Sequence, residues 1–138
     1  MNIDPVYPKT PNISWDQSVT VANNTADITT GTSYLIFTAG SNGSYVDSVV
    51  VKPAPAVNTS ATVVRVWLNN GSATGTAANS VLIDEITVPA TTTSATLAQP
   101  TFAAALRRAI PAGYKLYVTA ATDPGATNLH VTCFGADY

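Results

Sequence analysis

Short runs in which apolar and polar residues alternate, separated by turn residues, make up most of the chain. Asn69-Asn70-Gly71 and Asp123-Pro124-Gly125 are turn signals of the kind that separate strands. Between such breaks the pattern predicts strands at 33–38, 45–52, 61–68, 80–88, 114–121 and 128–134, with weaker candidates near Val19 and at 94–97. Regular short strands at this spacing predict an all-β chain that forms a single-domain antiparallel β-sandwich, jelly-roll-like in its architecture.

The segment 102–110 is ambiguous between helix and strand. Its composition favours a helix, and Phe102, Leu106 and Ile110 recur every fourth residue, as on one helical stripe. The segments on both sides have strand patterns, and a sandwich needs a strand at this place in the chain. We therefore expect a strand, or a loop with one helical turn.

The start of the chain has a pattern of its own. Prolines recur every third residue, at Pro5, Pro8 and Pro11. Proline fixes φ and holds the residue before it in an extended conformation, so we divide the chain into an extended N-terminal arm at 1–16 and a β-sandwich domain at 17–138. The arm carries four large apolar side chains that need cover: Val6, Tyr7, Ile13 and Trp15. Packing on the arm's own domain and packing on a neighbouring subunit both remain open.

Several predicted strands are apolar on both faces, with isolated charges among the apolar residues. Arg65 is one such charge, and we expect it to form a partly buried ion pair with Glu85 or Asp47 on a neighbouring strand. Ordinary solvated charges on an outer face are the alternative. A second face that is also apolar suggests cover by another copy of the chain.

Composition narrows the class of partner. Only 10% of the 138 residues are charged, and the net charge of −2 argues against a polycationic nucleic-acid binder. A surface used for subunit contacts is depleted in charge, as here. The first residues lack the cations and apolar run of a signal peptide, and no apolar run approaches the ~20 residues of a membrane span. We therefore expect a soluble protein made in a cytoplasm, without a membrane partner.

The residues that usually carry chemistry are few. His130 is the only histidine and Cys133 the only cysteine, and their spacing on a strand points them to opposite faces. Asp84 and Glu85 are adjacent, so on a strand they also point apart and cannot work as a paired acid and base. With no nucleotide-binding or hydrolase motif in the sequence, we expect no catalytic residues, no cofactor and no metal.

The order of several stretches resembles small structural proteins of tailed bacteriophages and prophages. The stretches that carry the resemblance are Thr38–Asp47 followed by Val49–Lys52, then Val64–Gly71, Leu82–Pro89, Ile110–Leu116 and Phe134–Tyr138. The resemblance implies a non-enzymatic capsid decoration (cement) protein, a group in which β-sandwich trimers are frequent. It further implies a virion location on the capsid surface after synthesis in the host bacterial cytoplasm. The implied partners are other copies of the chain, as a homotrimer, and the major capsid protein.

A tail or fibre domain, or a lectin-like module that recognises host-surface carbohydrate, is the alternative function. Sugar sites combine an exposed aromatic side chain with amides and carboxylates. Two sets of residues fit that description: Tyr45 with Asn42 and Asp47, and Trp67 with Asn69 and Asn70. For Trp67 we favour the alternative, a place in the core or in an interface. A head–tail completion or baseplate protein is a third option.

Overall fold

The structure is a computed structural model that describes residues 7–23, 27–55, 57–125 and 129–138. Its strands are β1 (Thr10–Val19), β2 (Tyr34–Thr38), β3 (Ser44–Pro53), β4 (Thr62–Asn69), β5 (Ser80–Val88), β6 (Phe102–Ile110), β7 (Lys115–Ala120) and β8 (Leu129–Asp137). Within these ranges the only helical element is a single 3-10 turn, Ala77–Asn79. No helix in the described ranges is long and apolar enough to cross a membrane.

The eight strands form two four-stranded antiparallel sheets. The first sheet has the order β1-β8-β3-β6 and the second has the order β2-β7-β4-β5. Most successive strands change sheet, as in an eight-stranded jelly roll built from two Greek keys. The predicted all-β, jelly-roll-like sandwich is confirmed.

The core fills the space between the two sheets and is rich in valine. Its fully buried side chains come from both sheets: Val46, Val49 and Val51 of β3, Val64 and Val66 of β4, Leu116 and Val118 of β7, and Leu129 and Val131 of β8. β-branched side chains suit a pleated surface, and each buried one contributes roughly 1.5–3 kcal/mol relative to exposure. Strand alternation therefore sets which residues face the core and which face outward.

The ambiguous segment 102–110 is a strand, β6. Ala104 and Leu106 are buried, whereas Ala103 and Ala105 are exposed. A period of two, set by pairing with β3, therefore prevails over the helical spacing of the apolar residues. The weaker candidate at 94–97 is not a strand, and the only bridge in this connection joins Thr91 to Thr59.

The first strand crosses the boundary that the sequence suggested at residue 16. Thr10–Asp16 pair with β8 of the same chain, and after a register shift β1 continues to Val19. These residues of the predicted N-terminal arm are thus an edge strand of the sandwich. Val6 lies outside the described residues.

Candidate interaction surface

The outward surface of the first sheet, here called the outer face, exposes large apolar side chains. On β1, Ile13 and Trp15 point outward and are 49% and 61% exposed. Between them Ser14 points inward, and its hydroxyl donates a 2.5 Å hydrogen bond to the Ile36 carbonyl of β2. The β1 backbone is therefore held by its own domain, while its apolar side chains remain uncovered.

The neighbouring strand extends this apolar surface. Phe134 of β8 lies opposite Ile13 in the register and is 39% exposed, and Thr132 lies opposite Trp15. Together Ile13, Trp15 and Phe134 form what we call the bulky half of the outer face. Tyr7, which precedes β1, is also exposed.

The far side of the same face is built from small residues. On β6 the exposed side chains include Ala103, Ala105 and Ala109, which we call the alanine half. The register connects the halves, because Phe134 lies opposite Ser48 of β3 and Ser48 lies opposite Ala105. A row of paired residues that crosses the sheet thus has large side chains toward β1 and small side chains on β6.

Two charged side chains, Asp47 and Arg107, interrupt the apolar rows. Asp47 of β3 is exposed at the register shifts that β3 makes with both neighbours. In the facing irregularity of β6, the exposed Arg107 adopts a φ of 48°, the only positive φ of a non-glycine residue in the described ranges. Arg108 is also exposed, but it pairs with the core-facing Val46 and so points to the other side of the sheet. A left-handed backbone costs a residue with a Cβ about 1–2 kcal/mol, so the bulge holds Arg107 in a strained conformation.

A polar cluster holds the β1 end of this face against the β2–β3 turn. The Asp137 carboxylate accepts a hydrogen bond from Asn12 Nδ2 at 2.8 Å and another, short one from the buried Ser44 hydroxyl. Asn12 also donates to the Thr38 carbonyl at 3.1 Å.

The same cluster sets the protonation of Asp137. Partial burial raises its pKa, but the hydrogen bonds from Asn12 and Ser44, with one from the Gly40 backbone, together lower it. The net result is a pKa below the ordinary aspartate value, so Asp137 stays ionised near neutral pH.

The second sheet holds the predicted ion pair. Arg65 of β4 lies directly opposite Glu85 of β5, with Nε 3.1 Å from Oε1. Their side chains are 21% and 50% exposed, so the pair is half in solvent. Asp47 is not brought to Arg65, because it lies on β3 in the other sheet.

Of the residues in one predicted sugar site, Trp67 and Asn69 are buried and only Asn70 is exposed. Trp67 is only 5% exposed, and its indole N–H donates to the Thr119 hydroxyl at 3.1 Å. Asn69 is fully buried and bonded to Ser80. Trp67 therefore offers no aromatic surface for a sugar ring to stack on. The other set lies on the surface, with Asn42 and Asp47 exposed and Tyr45 half-buried.

The side chains that could act as nucleophiles, acids, bases or metal ligands lie apart from one another. Burial raises the pKa of the Cys133 thiol to about 12, so it is not a thiolate at neutral pH. His130 lies beside Lys52 along a cleft of about 910 Å³ under the β5–β6 connection, whose outer wall includes the exposed Leu97. In the described part of the chain, no three His, Cys, Asp or Glu side chains come together as a metal site would require.

Of the residues on the outer face, Ile13 and Trp15 were predicted from the sequence as contact residues, whereas Phe134 and the alanines of β6 were not. Alternation along β8 carried the missing signal, since Leu129, Val131 and Cys133 are core residues and a strand then points Phe134 outward.

Comparisons with known proteins add no assignment to this surface. No protein-family model matches the chain, and no curated protein or solved structure shows significant similarity to it.

Proposed function

We propose that this chain is a non-enzymatic virion structural protein, a capsid decoration (cement) protein that forms a homotrimer and stabilises a bacteriophage head by binding its major capsid protein. The observation that carries the proposal is the exposed apolar outer face, with Ile13, Trp15 and Phe134 grouped on two adjacent strands. The jelly-roll fold and the resemblance in the order of sequence motifs support the same class.

The exposed aromatic and aliphatic side chains favour a protein that assembles with other protein chains. Contiguous apolar patches on soluble proteins are typical of surfaces that meet other proteins. The low content of charged residues, 10% of the chain, fits a molecule whose surface is largely used in contacts. A ring of copies also binds a symmetric shell through several weak contacts at once, which multiplies the avidity.

Binding to capsid shells tests the proposal. The purified chain is sedimented with emptied, expanded shells of a tailed phage or prophage that encodes it, and its mass in solution is measured by light scattering. We expect a mass three times that of the chain and saturable binding to the shells. Trp15→Ser should weaken assembly or shell binding more than tenfold, whereas Leu97→Ser, an exposed apolar residue away from the outer face, should not.

The contacts of β1 decide how the N-terminal region is tested. Removing residues 1–16 would also remove most of β1 and leave β8 paired with β3 alone, so the informative deletion is 1–9, together with Trp15→Ser. A monomer that does not bind shells would contradict the proposal. Selective binding to host-surface glycans by that monomer would favour the lectin-like alternative.

A further inference from the structure

The outer face of the first sheet has two unlike halves that lie in register with each other. The row that begins with Ile13 of β1 passes through Phe134 of β8 and ends at Ala105 of β6. The next row begins with Trp15 and ends at Ala103. Large side chains therefore project along one side of the face, and methyl groups leave a shallow surface along the other.

We propose that the bulky half of one copy packs on the alanine half of a second copy of this chain. The inference deepens the proposed function, on which it rests, because it names the surface that the copies share. Close packing at protein interfaces requires that a projecting group meet a shallow surface. Two bulky halves that met each other would hold the backbones apart, whereas Ile13, Trp15 and Phe134 can seat against Ala103 and Ala105.

The charges of the face favour a copy of itself over a partner of one sign. Asp47 lies near the middle of the face, and Arg107 lies on its β6 strand. In the described part of the chain neither side chain takes part in an ion pair within its own copy. A nucleic acid or a uniformly acidic surface would leave Asp47 facing negative charge, while a second copy supplies both signs.

The area of the face suits a modest but specific contact. Four strands at ~4.8 Å spacing give a width of about 19 Å, and nine residues at ~3.3 Å give a length of about 30 Å. In the proposed trimer each copy buries its bulky half on one neighbour and its alanine half on the other, so about 570 Å² is buried on each copy and roughly 1,700 Å² over the three copies. We therefore expect association in the micromolar range.

Cysteine cross-linking tests which halves meet. In a Cys133→Ala background, Ile13→Cys and Ala105→Cys are made in separate chains, mixed at about 100 µM and treated with a short bismaleimide. We expect cross-linked dimers in the mixture and at least fivefold fewer with either variant alone. Leu97→Cys mixed with Ala105→Cys is the control and should give only background.

A large side chain introduced on the alanine half provides an independent test. Ala105→Arg should shift the light-scattering mass to that of the monomer and raise the dissociation constant at least tenfold, with no change in the thermal unfolding midpoint at concentrations where the wild type is also monomeric. Ala98→Arg, an exposed alanine outside the outer face, is the matched control and should leave the mass unchanged. Retention of the oligomer by Ala105→Arg would overturn the inference.

The two proposals fail in different ways. Cross-links confined to Ile13→Cys alone, or a monomeric wild type at 100 µM, would overturn the pairing of unlike halves even if shells are bound. Cross-linking of the mixture, without any binding to shells, would support the pairing and contradict the role in a capsid.

Discussion

At the scale of single residues, the Asp137 carboxylate at the end of β8 connects β1 to the start of β3. It accepts hydrogen bonds from Asn12 and from the fully buried Ser44. Asp137→Ala leaves the Ser44 hydroxyl without that acceptor, and we expect a loss of about 1–3 kcal/mol in the free energy of unfolding. Urea denaturation measures this loss, and Asp123→Ala, at an exposed aspartate, is the control. Equal losses in the two variants would show that the cluster contributes nothing special.

The lowered pKa of Asp137 also predicts how stability depends on pH. The folded chain binds the Asp137 proton more weakly than the unfolded chain, whose aspartates titrate near 3.8. This contribution to stability is therefore complete above about pH 5 and is lost as the pH falls through 3.8 toward the lower folded value. Urea midpoints between pH 7 and pH 3 should fall less steeply for Asp137→Asn than for the wild type. Parallel curves would contradict this assignment.

The ion pair of the second sheet predicts unequal effects of its two partners. About four fifths of the Arg65 side chain is buried, but only half of Glu85 is. Arg65→Ala removes the packing of its aliphatic stem as well as the charge, so we expect a loss above ~1 kcal/mol. Glu85→Ala should cost no more than ~1 kcal/mol, as for other exposed pairs. Chemical denaturation of both variants and the double variant gives the coupling; a neutral Arg65→Ala would show a merely solvated side chain.

At the scale of elements, a close approach between β3 and β8 depends on a glycine. A Cβ on Gly135 would lie 2.6 Å from the Tyr45 carbonyl oxygen and 3.2 Å from the Phe37 ring. Gly135→Ala forces these strands apart, and we expect a loss of about 1–3 kcal/mol or more. Gly75→Ala, where a Cβ meets nothing within 4 Å, is the control. Unfolding midpoints that matched in the two variants would rule out a tight contact at Gly135.

The same elements show what the sequence could and could not predict. The strands and turns were predictable because alternation and turn residues are local properties. The register shifts were not, because they depend on pairing: strict alternation would put Ile83 and Ile86 on opposite faces, yet a shift in β5 places both against the core. The edge position of β1 could not be predicted for the same reason. Its prolines indicate an extended chain, but they do not indicate which strand that chain pairs with.

The outer face was only half predictable, also because it depends on pairing. Its bulky residues on β1 are conspicuous in the sequence. The alanines of β6 acquire meaning only once the sheet order brings that strand into the same rows.

At the scale of the whole molecule, the two ends of the described chain meet. The Lys9 N–H donates to the Asp137 carbonyl at 2.8 Å, and the Tyr138 N–H donates to the Gly43 carbonyl at 3.2 Å. Residue 9 and residue 138 therefore lie at the same end of the sandwich, beside the β2–β3 turn.

Because these two ends lie close together, the chain is well suited to circular permutation. A short glycine-serine linker from Tyr138 to Lys9, with new termini opened in the exposed turn at Gly75, should preserve both sheets, because no strand is interrupted. We expect the permutant to keep the circular dichroism spectrum and a similar unfolding midpoint, and an unfolded permutant would contradict this. A peptide or enzyme fused after residue 138 would likewise project from the end of the sandwich at which β1 begins. That end is therefore the place to attach a fused protein so that it stays accessible.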